Sequence, residues 1–309
     1  MSPVTTKYHV KMTKFRLVWR RGQARWQKRD DGALIGIAGG GNDTLAACCP
    51  VILLSPFHFF IMQKIILITG GSRGIGAAIA HLAAGQGYSV CISYHSNQPA
   101  ADTVVAAIRQ QNGTALAVQA DVAIEADVLR LFEQVDSQFG RLNALVNNAG
   151  VLKQQMRVED MTLERISRIF ATNVFGSFMC AREAVRRMST RHGGAGGGIV
   201  NISSRASRFG AAGEYVDYAA SKAAIDTLTM GLAKEVALEG IRVNTVAPGM
   251  IETDIHATGG EPDRIMRIKD SIPMKRGGTA QEVANAVMWL LSGEASFTTG
   301  ACIDVAGGR

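Results

Sequence analysis

From residue 65 onward, short apolar runs alternate with alanine-rich or amphipathic stretches. Ile65-Ile-Leu-Ile68 is continuous, apolar and rich in β-branched residues, the pattern of a strand buried on both faces of a parallel sheet. It runs into a glycine turn and then into the alanine-rich stretch Ala77 to Ala84, which predicts a helix. Further strands are predicted over Ser89–Tyr94, Ala115–Gln119, Ala144–Val146 (ending at Asn147), Gly198–Ser203, Arg242–Val246 and Cys302–Val305. Helices are predicted over Ala100–Gln111, Asp127–Phe139, Leu163–Met188 and Tyr218–Leu238, and Gly193–Gly198 reads as a flexible surface connection. Repeated βα units predict an α/β fold, one doubly wound domain whose central parallel sheet is flanked by helices. In such a sheet ligands bind beyond the carboxyl ends of the strands.

The first sixty residues do not follow this pattern. Residues 1–30 are basic, Gly36–Gly41 reads as a loop, and Thr44 to Gln63 is largely apolar and free of formal charge. Pro50, Pro56 and His58 interrupt that apolar run, which argues against a membrane span, because prolines inside a membrane helix leave backbone groups to be satisfied elsewhere. The basic region also lies too far from the apolar run for a signal peptide. The expected division is an extension over 1–61 that stands outside the fold and a catalytic domain over 62–309, with Met62 as the natural start. A membrane or targeting role and an accessory segment are the alternatives for 1–61.

Charge changes the picture only for that extension. Of the formal net charge of +7, residues 1–61 carry six, since they hold nine Lys/Arg against three acids. The remainder is nearly neutral, so no nucleic-acid partner is expected for it. Five cysteines (Cys48, Cys49, Cys91, Cys180, Cys302) show no metal-ligand spacing, and free thiols in a reducing, cytoplasmic setting are expected, with no metal.

Two segments carry candidate chemistry. Thr69-Gly70-Gly71-Ser72-Arg73-Gly74-Ile75-Gly76 joins strand to helix with the spacing G-x-x-x-G-x-G. Glycines permit a tight turn and close backbone approach, and the helix N-terminus offers N–H donors to a pyrophosphate. Tyr218-Ala-Ala-Ser-Lys222 places a phenol and an ammonium four residues apart on one helix face. A nearby ammonium is expected to favour the tyrosinate and lower the phenol from its ordinary value near 10, which suits proton transfer.

Gly70-x-x-x-Gly74-x-Gly76, Asn147-Asn-Ala-Gly150, Ser204, Tyr218-x-x-x-Lys222 and Pro248-Gly249 occur in that order. The order and spacing resemble the classical short-chain dehydrogenase/reductases, from about Met62 to Arg309, and among them ketoacyl-carrier-protein reductase-like and glucose dehydrogenase-like members. The resemblance implies a Rossmann-type domain and hydride transfer between a nicotinamide and a carbonyl or secondary alcohol. It implies that Tyr218 is the acid or base, Lys222 its partner and a ribose contact, Ser204 the donor to the substrate oxygen, and Asn173 the anchor of a proton relay. Ser204 precedes Tyr218 by fourteen residues where the family has thirteen, so the loop Arg205–Asp217 is one residue longer.

The resemblance also implies a cofactor path. It runs along Gly70, Ser72, Arg73, Gly74, Ile75 and Gly76 of the turn, then Ser96 and Asn97 after the second strand. Asp121 and Val122 would meet the adenine, Asn148, Ala149 and Gly150 the adenosine ribose, and Pro248, Gly249, Ile251 and Thr253 the nicotinamide carboxamide. Tyr94-His-Ser-Asn97 has no acid to repel a 2′-phosphate, and Arg73 can reach one, so NADP(H) is expected over NAD(H). The stretch Met250–Gly278 reads as a lid whose mixed charges (Glu252, Asp254, Glu261, Asp263, Arg264, Arg267) suit a polar or medium-sized carbonyl compound, with Tyr215 expected to face the pocket. A homotetramer or dimer, no membrane partner for 62–309, and a small-molecule substrate complete the expectation. An NAD-dependent sugar dehydrogenase and a non-catalytic dinucleotide-binding regulator are the alternatives.

Overall fold

The computed structural model describes residues 64–309 and two short strands upstream, β1 (Arg25–Lys28) and β2 (Leu34–Ile37). The chain divides into two units, Met1–Phe59 and Phe60–Arg309. In the first, β1 and β2 pair antiparallel, with Arg25 opposite Ile37 and Trp26 opposite Gly36. Gly36 and Ile37 are therefore strand rather than loop, because cross-strand pairing gives their backbone groups partners. The expected start at Met62 and the run Thr44–Gln63 lie outside the described residues.

The second unit holds seven parallel strands: β3 (Ile65–Ile68), β4 (Ser89–Tyr94), β5 (Ala115–Gln119), β6 (Ala144–Asn147), β7 (Gly197–Ile202), β8 (Ile241–Pro248) and β9 (Cys302–Val305). Their order is β5-β4-β3-β6-β7-β8-β9. The chain builds outward from β3 to β5, then returns to place β6 on the other side of β3. The crevice between β3 and β6 is the switch point at which such sheets take their ligands.

Ten α-helices are described: α1 (Gly74–Gly85), α2 (Gln98–Gln110), α3 (Glu125–Gln138), α4 (Leu163–Phe170), α5 (Gly176–Met188), α6 (Ala206–Phe209), α7 (Val216–Val236), α8 (Ile255–Thr258), α9 (Arg264–Ile268) and α10 (Ala280–Leu291). Strand alternation sorts them into two layers. Ile66 and Ile68 of β3 pack with Ile79 of α1, Val104 of α2 and Val287 of α10. Ile65 and Leu67 point the other way, to Leu131 and Phe132 of α3, Ala184 of α5 and Val236 of α7. All four β3 residues are buried, which is why that segment reads as unbroken apolar sequence.

Two details differ from the sequence pattern. The expected long helix Leu163–Met188 is interrupted by a π-helical segment, Ala171–Phe175, between α4 and α5. The glycine connection after α5 is a packed corner rather than a loose loop: a Cβ on Gly194 would lie 2.2 Å from the Met188 carbonyl oxygen, and one on Gly197 would lie 2.4 Å from that of Asn143. No helix among the described residues is long and apolar enough to cross a membrane.

Candidate active site

Thr69 directly follows β3, and its side chain begins the site. Its hydroxyl accepts from the backbone N–H groups of Asn148 and Ala149, both at 3.0 Å. Asn148 returns the contact, its Nδ2 donating to the carbonyls of Thr69 and Gly70 at 2.9 Å each. The glycine turn is thus clamped to the end of β6. Ser93 of β4 holds it from the other side, accepting the Gly70 N–H at 3.2 Å.

Gly70 and Gly74 have φ of 64° and 54°, so the turn needs glycine there. Gly76 acts differently. It does not line the cavity, and a Cβ on it would lie 2.4 Å from the Gly70 carbonyl oxygen and 2.6 Å from Asn148 Nδ2. Its part is to let α1 pack against the turn rather than to touch a ligand. The first N–H groups of α1 have no acceptor within the helix and open toward the cavity at Gly74 and Ile75.

A cavity of about 520 Å³ runs from this turn across the carboxyl ends of the strands. It is lined by Gly70, Ser72, Arg73, Gly74 and Ile75; by Ser96 and Asn97; by Asp121 and Val122; by Asn148, Ala149 and Gly150; and by Pro248, Gly249, Ile251 and Thr253. Ser204, Tyr218 and Lys222 line its far end. Residues that sequence reasoning did not assign also line it, among them His95, Arg168, Thr172, Ile202 and His256. His95 Nε2 lies 3.5 Å from Asp121 Oδ2. No carboxylate follows β4, and Arg73 makes no ion pair among the described residues. The cradle therefore fits a dinucleotide: glycines where the backbone must approach, free N–H donors at a helix start, and an unpaired guanidinium.

The helix α7 brings Tyr218 and Lys222 to the opposite end. The Lys222 ammonium is buried, lies 5.6 Å from the centroid of the Tyr218 ring and donates to the Ile202 carbonyl oxygen at 2.7 Å. Burial pushes the Tyr218 phenol up to about 12, against a lowering from the Ser204 hydroxyl beside it. Burial likewise pulls Lys222 down to about 8, with Asp226 opposing. The expected lowering of the phenol is thus reversed: the lysine is spent on the β7 carbonyl, and loss of water outweighs it.

Ser204 sits just past β7, and its Oγ accepts from the Ala206 N–H at 3.1 Å. The rival serines are used elsewhere, Ser203 donating to the Lys222 carbonyl and Ser207 to Asp226. The longer loop is taken up by α6 and a turn with positive φ at Gly210, Ala211 and Gly213.

Asn173 lies behind the cavity in the π segment. Its Oδ1 accepts the Val151 N–H at 2.7 Å, and its Nδ2 donates to the Val151 carbonyl at 3.1 Å and to Ser221 Oγ at 3.0 Å. A Cβ on Gly150 would come 3.4 Å from Lys222 Nζ and 3.5 Å from Asn173 Oδ1, so that glycine is the gap through which the two face each other.

The lid meets the expectation in part: Asp254 lines the cavity, while its other charges largely do not. Arg264 pairs with Glu214 and Glu261, and Arg267 with Glu261, so these charges satisfy one another. Tyr215 is buried and does not line the cavity; its hydroxyl donates to the Gly259 carbonyl at 3.1 Å beneath the lid. Cys91 and Cys180 are buried free thiols, each pushed up to about 12 by burial, and Cys302 is a partly buried one.

Residues 70–309 match the family described as Enoyl-(Acyl carrier protein) reductase. The chain is 57% identical to the uncharacterized oxidoreductase YgfF of Escherichia coli over 247 residues, 80% of this chain and 100% of the relative. It is 38% identical to glucose 1-dehydrogenase 2 of Bacillus subtilis, covering 79% of this chain and 94% of the relative. It is 37% identical to the 3-oxoacyl-[acyl-carrier-protein] reductase FabG of Staphylococcus epidermidis, covering 80% and 99%. A short chain dehydrogenase from Burkholderia cenocepacia, solved in complex with NADP, superposes with a TM-score of 0.73 at 33% identity, over 80% of this chain and 97% of that one. With the ordered motifs, the doubly wound sheet and this degree of likeness, the chain belongs to the short-chain dehydrogenase/reductase family, and it is an oxidoreductase of the CH–OH/C=O, NAD(P)-dependent kind.

Proposed function

We propose that this protein is an NADP(H)-dependent carbonyl reductase and alcohol dehydrogenase in which Tyr218 is the general acid or base. One observation carries the reading: the Tyr218 phenol, with the Ser204 hydroxyl beside it, stands at one end of a cavity whose other end is the glycine turn. A bound nicotinamide dinucleotide supplies or accepts the hydride. The protein's own residues handle the oxygen and the proton. Ser204 donates to the carbonyl oxygen and fixes it in line with the phenol. Tyr218, protonated at neutral pH because burial raises it, gives its proton to that oxygen in reduction. Behind it Asn173, held by Val151 and Ser221 and facing Lys222 across Gly150, would anchor the water through which a replacement proton reaches the lysine. Arg73 and the α1 N-terminus would hold the phosphates, with Ser96 and Asn97 beside the ribose.

The NADP-complexed relative, the absence of an acid after β4 and an Arg73 without an ion pair among the described residues support NADP(H) over NAD(H). The FabG relative supports a carbonyl substrate. The glucose 1-dehydrogenase relative favours a second reading, oxidation of a sugar with NAD. Half-exposed Phe175 and Phe178 on the α4–α5 layer and Met230 on α7 support a homotetramer or dimer, and the described free thiols support a cytoplasmic setting.

The test is a panel of ketones, aldehydes, 3-oxoacyl thioesters and sugars run on the full chain with NADPH, NADP, NADH and NAD, with Tyr218→Phe as control. Reduction of a carbonyl with NADPH that Tyr218→Phe abolishes is the expected result. Full activity in Tyr218→Phe overturns the mechanism, and faster turnover of glucose with NAD than of any carbonyl with NADPH favours the second reading.

A further inference from the structure

A buried ion pair outside the cavity adjoins Tyr218. Tyr218 lies in the first turn of α7. Just upstream, residues 210, 211 and 213 all have positive φ, and Tyr215 is buried with its hydroxyl on the Gly259 carbonyl but makes no side-chain cap. The polar tie at Tyr218 itself comes from Asp217. Its Oδ1 accepts the Tyr218 backbone N–H at 2.8 Å, one of the orphan donors of a helix start. Its Oδ2 accepts from Arg165 Nε at 2.6 Å. Both side chains are nearly out of water, Asp217 at 1% exposure and Arg165 at 11%.

Arg165 stands on α4, and α4 runs directly into the π segment that holds Asn173. A second tie joins that π segment to α7 further in, Asn173 Nδ2 to Ser221 Oγ, whose hydroxyl in turn donates to the Tyr218 carbonyl at 2.7 Å. The proton donor and the relay asparagine are thus held against each other by two links, one at each side of Tyr218. Stability alone is a poor reason to keep the outer one. A buried ion pair is often matched or bettered by apolar residues of similar volume, and Arg165 Nη2 is buried without a partner among the described residues. An apolar pair would pack the helices but would not hold the Tyr218 N–H.

We propose that Arg165 and Asp217 are positioning residues, which together set the Tyr218 phenol in line with Ser204 and keep α7 in register with Asn173. Neither lines the cavity, so neither touches substrate or cofactor. The proposal rests on Tyr218 being the proton donor.

The experiment compares Asp217→Asn, Arg165→Lys, Arg165→Met and the double variant Arg165→Met/Asp217→Leu in the full chain. It measures kcat and KM for the best carbonyl of the panel, the NADPH Kd by fluorescence, and the Tm. A misplaced general acid should lower kcat about 10- to 100-fold while leaving the NADPH Kd within about twofold. The double variant should regain the Tm of the wild type without regaining kcat, and Arg165→Lys should keep several times the kcat of Arg165→Met. A folded double variant with wild-type kcat overturns the proposal. So does a set in which kcat, Kd and Tm fall together in every variant, or an Arg165→Lys no better than Arg165→Met, or variants that do not fold except an Arg165→Lys of reduced Tm and unchanged kcat. Tyr218→Phe separates the levels: if it stays active, the reading of the site itself fails, whereas an inactive Tyr218→Phe beside a fully active double variant removes the positioning role alone.

Discussion

Lys222 and Tyr218 share one face of α7, yet the ammonium is bonded to the Ile202 carbonyl oxygen and lies 5.6 Å from the centroid of the phenol ring. The lysine ties α7 to β7, and the phenol keeps its proton well above neutral pH. The two directions of the reaction should therefore differ in pH dependence. Reduction uses the protonated phenol, which is fully populated, so its kcat/KM should be nearly flat from about pH 6 to 9. Oxidation uses the phenolate, so its kcat/KM should climb by about tenfold per pH unit over the same range. Initial rates in both directions across that window check this, and a falling oxidation profile contradicts it.

Stability should carry the mark of Lys222. Its folded value is depressed to about 8 from an ordinary 10.5, so the folded state sheds this proton before the unfolded state does. Its contribution is present above the unfolded value and lost as pH falls through about 8. The wild type should accordingly gain up to about 3 kcal/mol between those limits from this group. Lys222→Met should flatten that rise. Urea unfolding at several pH values between 7.5 and 10.5 measures the difference between the two slopes.

Asn173 serves the fold and the site at once. Asn173→Leu would leave the Val151 N–H, the Val151 carbonyl and the Ser221 hydroxyl short of a partner, each at a cost of about 1–3 kcal/mol where it stays buried. Thermal unfolding should drop by several degrees and carbonyl reduction should fall with it. A variant with wild-type Tm and wild-type activity would show that water replaces every one of these bonds.

Much of this was legible in sequence because the relevant signals are local. Ile65–Ile68 reads as a two-faced strand since both faces are covered, and Gly70, Gly74 and Tyr218-x-x-x-Lys222 act through spacing along one element. The signals that failed are those set by tertiary contact. Nothing in Leu163–Met188 marks the π segment, which the bonds of Asn173 to Val151 hold in place. Nothing in the Tyr218–Lys222 spacing says that the Ile202 carbonyl takes the ammonium or that burial raises the phenol. Of the lid's charges that suggested a polar pocket, Asp254 does line the cavity, but Arg264 and Arg267 are consumed by Glu214 and Glu261. The helix α10 was legible and missed: Thr279 and Glu282 form a capping box, the T-x-x-E signature of a helix start.

Gly76 tests whether close packing shapes the cofactor cradle. Gly76→Ala places a methyl 2.4 Å from the Gly70 carbonyl oxygen and 2.6 Å from Asn148 Nδ2. Neither neighbour is the free end of a flexible side chain, because Asn148 is bonded to both Thr69 and Gly70. The turn must shift away from α1, at a cost of about 1–3 kcal/mol. The Tm should fall and the NADPH Kd should weaken by about tenfold, with kcat at saturating cofactor less affected. Fluorescence titration beside a thermal melt separates this from a contact residue, which would change Kd alone.

Arg73 tests the cofactor preference. Its guanidinium lines the cavity at the start of α1, is exposed, and has no carboxylate partner among the described residues. Nothing after β4 supplies a competing negative charge, since Tyr94 is followed by His95, Ser96 and Asn97. A 2′-phosphate placed here gains an ion pair and a bidentate fit to the guanidinium that a neutral 2′-hydroxyl cannot make. Arg73→Glu reverses the sign at that point without entering the packed core, so its Tm should stay near that of the wild type. The kcat/KM with NADPH should fall by about 100-fold, because a repulsion replaces an exposed attraction, while kcat/KM with NADH should change by less than about threefold. The ratio of the two is the decisive number: an unchanged ratio would mean that Arg73 does not meet the 2′-phosphate, and a ratio that inverts would make this one side chain the main source of the preference.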